Sequence, residues 1–132
     1  MRSHINLFLK IRDFSFLEIN MTNQEKEILK LKFGLAVIKK IDENKGLAKS
    51  NKENGRESNQ LIDSLRKLEA SSGIPYASIH KITVGEKNAS FTTISALVDG
   101  LEMNLDEFFA NYYYKISDGE IEKKLKMKRN KK

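Results

Sequence analysis

The stretch Ser64-Leu65-Arg66-Lys67-Leu68-Glu69-Ala70-Ser71-Ser72-Gly73-Ile74-Pro75-Tyr76-Ala77-Ser78-Ile79-His80-Lys81-Ile82 decides how the rest of the chain is read. Leu61, Leu65 and Leu68 recur at steps of four and three, which predicts a helix running to Ser72. Gly73 stops it, because a residue without a Cβ reaches the positive φ that a tight reversal needs. Pro75 suits the first turn of a new helix, where its missing N–H would have no partner. Ile79 and Ile82 mark the buried side of that helix, and Gly85 closes it. Leu68, Ile74, Ile79 and Ile82 are spaced to fill the wedge between the two helices. Two short helices joined by so short a turn form a helix-turn-helix arrangement, whose second helix can enter the DNA major groove. At about 100° per residue from Ile79, Ile82 and Pro75 fall on the buried side. Ala77, Lys81 and Val84 fall opposite, with Tyr76 and His80 flanking them.

The flanks extend the helical pattern. Upstream, Thr22 and Glu25 have the spacing of a capping box. After it, Ile28, Leu31, Leu35, Ile38 and Ile41 make one apolar stripe, and Leu29, Phe33 and Val37 a second. This long helix is expected to end at Asn44-Lys45-Gly46. Residues 48–60 are polar, contain the turn dipeptide Asn54-Gly55 and have almost nothing to bury, so they read as a mobile loop. Downstream, Ser90 caps a helix with the stripe Phe91, Ile94, Val98 and Leu101. Asn104 and Glu107 open another, with Leu105, Phe108, Phe109 and Tyr112 inward. Tyr112-Tyr113-Tyr114 either finishes the core or forms a dimer patch. Residues 1–20 have no clean period; Leu7, Leu9 and Ile11 alternate as a short strand would, and Met21 reads as an alternative natural start.

Composition narrows the function classes. The chain has 132 residues, a formal charge of +6, 39% hydrophobic residues and a single proline, with a mean hydropathy of −0.52. One domain with appendages is expected, and the scarcity of proline favours helices over a turn-rich β fold. No apolar run approaches the roughly 18 residues of a membrane span. Lys10, Arg12, Asp13 and Glu18 interrupt the opening segment, which is not patterned as a signal-peptide core. Cysteine is absent, so there are neither disulfides nor thiolate metal ligands, which suits a cytoplasmic protein. His4 and His80 are too far apart in sequence to suggest a histidine metal site. With no nucleophile–base pair, no metal-ligand set and no Gly-rich phosphate loop, neither an enzyme nor a cofactor is expected.

The positive charge favours a polyanionic partner, but it is unevenly placed. Residues 61–114 carry four basic and seven acidic side chains, whereas residues 115–132 carry eight and three. A nucleic-acid face within 61–114 must therefore rest on a few well-placed cations. The terminal run Lys123-Lys124-Leu125-Lys126-Met127-Lys128-Arg129-Asn130-Lys131-Lys132 reads as a basic tail, unfolded when free.

Residues 64–82 resemble helices 2 and 3 of the lambda-repressor-like (Cro/C1, XRE) family. Gly85-Glu86-Lys87-Asn88-Ala89-Ser90-Phe91-Thr92-Thr93-Ile94 is similar to that family's "G-K-x-N-P-S-x-x-T-L" segment. Asn104-Leu105-Asp106-Glu107-Phe108-Phe109 is similar to its closing "S-L-D-E-L-F" helix, and Phe33-Gly34 through Lys45-Gly46-Leu47 to its first. The likeness covers roughly residues 33–47 and 63–109. Four departures stand out: sixteen residues, 48–63, separate Leu47 from Ser64; Leu65 replaces the usual Gln; Glu69 replaces the usual Ala; and Ala89 replaces the usual Pro. Glu69 must reach solvent or find a partner, since burying a lone carboxylate is costly.

The resemblance implies an all-α, five-helix helix-turn-helix domain over residues 21–116, with an N-terminal extension (1–20), a polar insertion (48–62) and the basic tail (117–132). It also implies a sequence-specific, double-stranded DNA-binding regulator of prokaryotic type, acting as a homodimer. Tyr76, Ala77, His80 and Lys81 would face bases: Lys81 the O6 and N7 of guanine, Ala77 a thymine methyl. Ser64, Arg66, Lys87, Asn88 and Ser90 would face phosphates. The alternative is a protein-interaction module, such as an antitoxin-like subunit, built on the same fold without DNA binding. Leu65, Glu69 and the acidic balance of residues 61–114 favour it.

Overall fold

Thr22 opens the first helix as the sequence predicts. Its hydroxyl accepts from the Glu25 N–H at 3.0 Å, and the Glu25 carboxylate accepts from the Thr22 N–H at 2.9 Å. The computed structural model describes residues 21–130, which carry six α-helices and no strand. They are α1 (Asn23–Glu53), α2 (Leu65–Ser72), α3 (Tyr76–Thr83), α4 (Phe91–Gly100), α5 (Leu105–Phe108) and α6 (Asp118–Asn130). A π-helical turn, Phe109–Tyr113, continues α5. The possible strand at 7–11 and the alternative start lie at or beyond the edge of the described residues. No helix among those residues is long and apolar enough to cross a membrane.

Helix α1 is the spine, and it is longer than expected. It passes through Gly46 and stops at Glu53, 31 residues in all, so the first part of the expected loop is helical. Gly46 is not at positive φ, whereas Gly55 is, at +75°. Glycine permits a stop without compelling one, and Leu47, Ala48 and Lys49 are good helix formers. The stop falls instead at Asn54-Gly55, where the Asn54 and Gly55 N–H groups turn back onto the carbonyls of the last turn. Both apolar stripes of α1 are used: Leu31 and Ile41 are buried on one, Phe33 and Val37 on the other. Buried Asn44 donates its amide to the Ile62 carbonyl at 2.9 Å, fastening the end of the insertion to the spine.

Helix α3 docks against this spine through Ile79 and Ile82, and α2 packs on α3 and α4 with Leu68 inward; all three side chains are essentially inaccessible to solvent. Ile74, the fourth residue assigned to the wedge, is half-buried and packs against the same core. Gly73 caps α2 at φ +80°, and Pro75 stands immediately before α3 as its N-cap. Contact between α1 and α3 is at backbone distance. A Cβ on Gly34 would lie 2.6 Å from the carbonyl oxygens of both Ile82 and Thr83. Gly85, at φ +80°, lies against the side chain of Leu31 in the same seam.

The remaining elements close the core from the other end. Helix α4 buries Leu97 and Val98, and Ser71 on α2 donates to the Gly100 carbonyl at 2.7 Å. Asn104 and Glu107 form the expected capping box at α5. Phe108 is fully buried between Phe33, at a ring distance of 5.6 Å, and Tyr112, at 6.2 Å. Tyr112 therefore finishes the core. Burial pushes its hydroxyl up to about 12, helped by the hydrogen bond it donates to Glu43. Tyr113 is half-buried, while Tyr114 is exposed.

The C-terminal segment is not an unfolded tail. Ser117 and Glu120 form a reciprocal cap, with the Ser117 N–H donating to Glu120 at 3.1 Å and the Glu120 N–H donating to the Ser117 hydroxyl at 3.1 Å. Helix α6 then runs to Asn130, which makes six helices rather than five. Ile121 is buried and Leu125 packs against the core cluster. One turn further on, the Lys128 ammonium donates to Glu27 on α1 and, at 3.1 Å, to the Gly85 carbonyl. The hydrogen bond from Lys128 holds the Glu27 carboxyl below its ordinary range.

Candidate nucleic-acid interface

Helix α3 is two-sided. Ile79 and Ile82 anchor one face in the core, while Ala77, His80 and Lys81 stand in solvent on the other. Tyr76 is half-buried at the first position of the helix. The four candidate base-facing residues thus share one surface. They do so because the apolar positions are three apart in an eight-residue helix, which leaves the opposite arc with nothing to bury.

The candidate phosphate-facing residues divide into three kinds. Lys87 and Asn88 are exposed in the turn after α3, and the Lys87 ammonium reaches back to the Ser78 hydroxyl at 3.3 Å. The turn and α3 therefore present one connected surface. Ser64 and Ser90 are helix caps: Ser64 accepts from the Lys67 N–H at 3.1 Å and Ser90 from the Thr93 N–H at 3.2 Å. Their serine hydroxyls serve the fold, and what they offer an anion is the start of α2 or α4.

Arg66 is the third kind. Its guanidinium lies 3.9 Å above the Tyr76 ring, and its Nη1 is 3.4 Å from Glu69 Oε1. Glu69, which had to find a partner, has found two: its other oxygen, Oε2, accepts from the Tyr76 N–H at 3.0 Å. That N–H belongs to the first turn of α3 and has no intrahelical acceptor, and Pro75 offers no side-chain cap. A carboxylate reaching across from α2 fills the gap. The Tyr76 ring continues toward His80, with centroids 6.3 Å apart and planes 20° apart. Glu69 stands out in the sequence as a carboxylate that needs a partner, but its role as a cap on the neighbouring helix depends on the fold.

Other cations near α2 are committed elsewhere. Lys67 pairs with Asp63 at 2.8 Å and donates to the Leu61 carbonyl at 3.3 Å, tying down the insertion. On the far side of the α3–α4 turn, Val84, Glu86, Lys124, Met127 and Lys128 line one cleft, so α6 borders the turn that follows α3. Comparison with protein-family models, with curated proteins and with solved structures finds no match to this chain.

Proposed function

We propose that this chain is a sequence-specific, double-stranded DNA-binding transcription regulator of the lambda-repressor-like helix-turn-helix type, acting in the cytoplasm as a homodimer. The two-sidedness of α3 supports this reading best: Ile79 and Ile82 fix the helix rigidly while Tyr76, Ala77, His80 and Lys81 share the surface it offers. Such a helix can lie in the major groove with Lys81 donating to guanine O6 and N7 and Ala77 against a thymine methyl. Lys87, Asn88 and the start of α4 then face the adjacent phosphates. An eight-residue helix reads only a few base pairs, so two copies on paired half-sites are needed for useful specificity.

Site selection from a random duplex pool tests this. The wild-type chain should enrich a defined site. Lys81→Ala should keep the fold, lose about 1–3 kcal/mol at that site and relax one base-pair position. An unchanged profile at unchanged affinity would remove Lys81 from base reading.

One observation favours the interaction-module reading instead. Arg66 and Lys67, two of the four cations in residues 61–114, are paired with carboxylates, leaving that stretch little free positive charge. Retention on duplex DNA at low salt, with steep loss as salt is added, separates the two readings, because only a phosphate-contacting protein releases counterions.

A further inference from the structure

A phosphate contact draws on net positive charge, and Arg66 shares its charge with a neighbouring carboxylate. Glu69 sits beside its guanidinium and so offsets its charge, and the same carboxylate occupies the start of α3. A second anion there meets repulsion. What the arrangement keeps is direction. The guanidinium lies over the Tyr76 ring on one side and meets Glu69 through Nη1, and Tyr76 is itself extended by His80. Arginine has five N–H donors in a planar fork, and the contact with Glu69 uses one nitrogen, Nη1. The side chain remains 73% exposed, so the rest of the fork faces water.

Resting on the DNA-binding reading above, we propose that Arg66 reads the edge of a guanine, with Glu69 as its positioning residue and the Tyr76 ring as its platform. Base edges are neutral, so reading them depends on the placement of donors rather than on unbalanced charge. Guanine offers O6 and N7 side by side in the major groove, the pair of acceptors that matches a guanidinium fork. The fork is held at the N-terminal end of α3, the end from which a recognition helix reaches base edges. Lysine has no plane to lay on the ring and no fork, so Lys is not a substitute at this position even though it keeps the charge.

Binding sites selected from a random duplex pool by the full-length wild type, Arg66→Lys, Arg66→Ala and Glu69→Gln test this, together with affinity against salt on the wild-type site. Arg66→Lys should reduce the preference for guanine at one base pair by about tenfold or more while leaving the salt slope unchanged. That base pair should differ from the one relaxed by Lys81→Ala. Glu69→Gln should broaden the same base pair as Arg66→Lys and steepen the salt dependence, since the guanidinium charge is then free to meet a phosphate. A wild-type profile for Arg66→Lys, or even weakening across all sequences with a flatter salt slope for Arg66→Ala, would make Arg66 a phosphate contact and overturn the proposal. The DNA-binding reading would survive that result. A wild-type chain that enriches no site would overturn both.

Discussion

Helices α3 and α6 both pack on α1, and Lys128 of α6 reaches the Gly85 carbonyl just past α3, yet the two are attached to α1 by different means. Helix α3 buries Ile79 and Ile82 completely, and its backbone approaches α1 so closely that only glycine fits at position 34. Helix α6 buries Ile121, rests Leu125 on the core and ends in a polar clasp from Lys128 to Glu27 and the Gly85 carbonyl. Close-packed contacts are lost as a unit, whereas a thin apolar seam with a partly exposed ion pair opens locally at low free energy. The surface proposed to meet DNA is therefore carried by the rigid element, and the most basic helix is carried by the looser one.

The largest effects should come from attacking the rigid contact. Ile79→Asp places a lone carboxylate among α1, α2 and α3 and should unfold the described domain altogether, seen as loss of a cooperative thermal transition. Gly34→Ala is the gentler form of the same experiment. Its methyl would meet two backbone carbonyl oxygens rather than a flexible side-chain end. About 2 kcal/mol or more of destabilisation should follow in denaturant unfolding, because α1 and α3 must separate. A neutral Gly34→Ala would mean that the spine and α3 slide apart freely, and the contrast with α6 would collapse.

Ile121→Ala probes the looser side. Deleting a buried isoleucine to alanine costs about 2 kcal/mol at the low end of the usual range, and a helix at the edge of the core belongs there. Amide exchange should show the loss concentrated in α6, with α2 and α3 keeping their protection. Uniform loss of protection across all helices would instead make α6 part of the same cooperative unit as α3.

The same contrast explains what was legible beforehand. Residues 64–84 announce themselves, because Gly73, Pro75 and the three-residue spacing of Ile79 and Ile82 each carry local meaning. Outward-facing Ala77, His80 and Lys81 follow from that spacing alone. Helix α6 carries comparable signals, Ser117 with Glu120 as a cap and Ile121, Leu125 and Lys128 at helical steps, but eight basic residues after position 114 mask them. Its stability draws on partners far along the chain, Glu27 on α1 and the Gly85 carbonyl, which no local window contains. Gly46 misled for a related reason: a glycine marks where a helix is able to stop, and only the tertiary context chooses between it and Gly55. The Glu69 cap on α3 was likewise out of reach, since it joins two helices across a turn whose geometry had first to be known.

The smallest effect sharpens the comparison most. Lys128→Ala should cost only about 0.5 kcal/mol at neutral pH, since both partners of the ion pair are partly in solvent. The pH dependence of that small difference is diagnostic. Lys128 lowers the Glu27 carboxyl from its ordinary 4.5, so the folded state holds the charged form more strongly than the unfolded chain does. A depressed carboxyl contributes stability that is fully present above the unfolded value and is lost as pH falls through the folded value. The gap between wild type and Lys128→Ala should accordingly be constant above about pH 5.5 and shrink as the pH drops below 4.5. Urea unfolding of both proteins across that window measures it. A gap that stays the same throughout would assign the clasp to the Gly85 carbonyl rather than to Glu27, because a backbone acceptor does not titrate; α6 would then be tied to the turn after α3 and not to the spine.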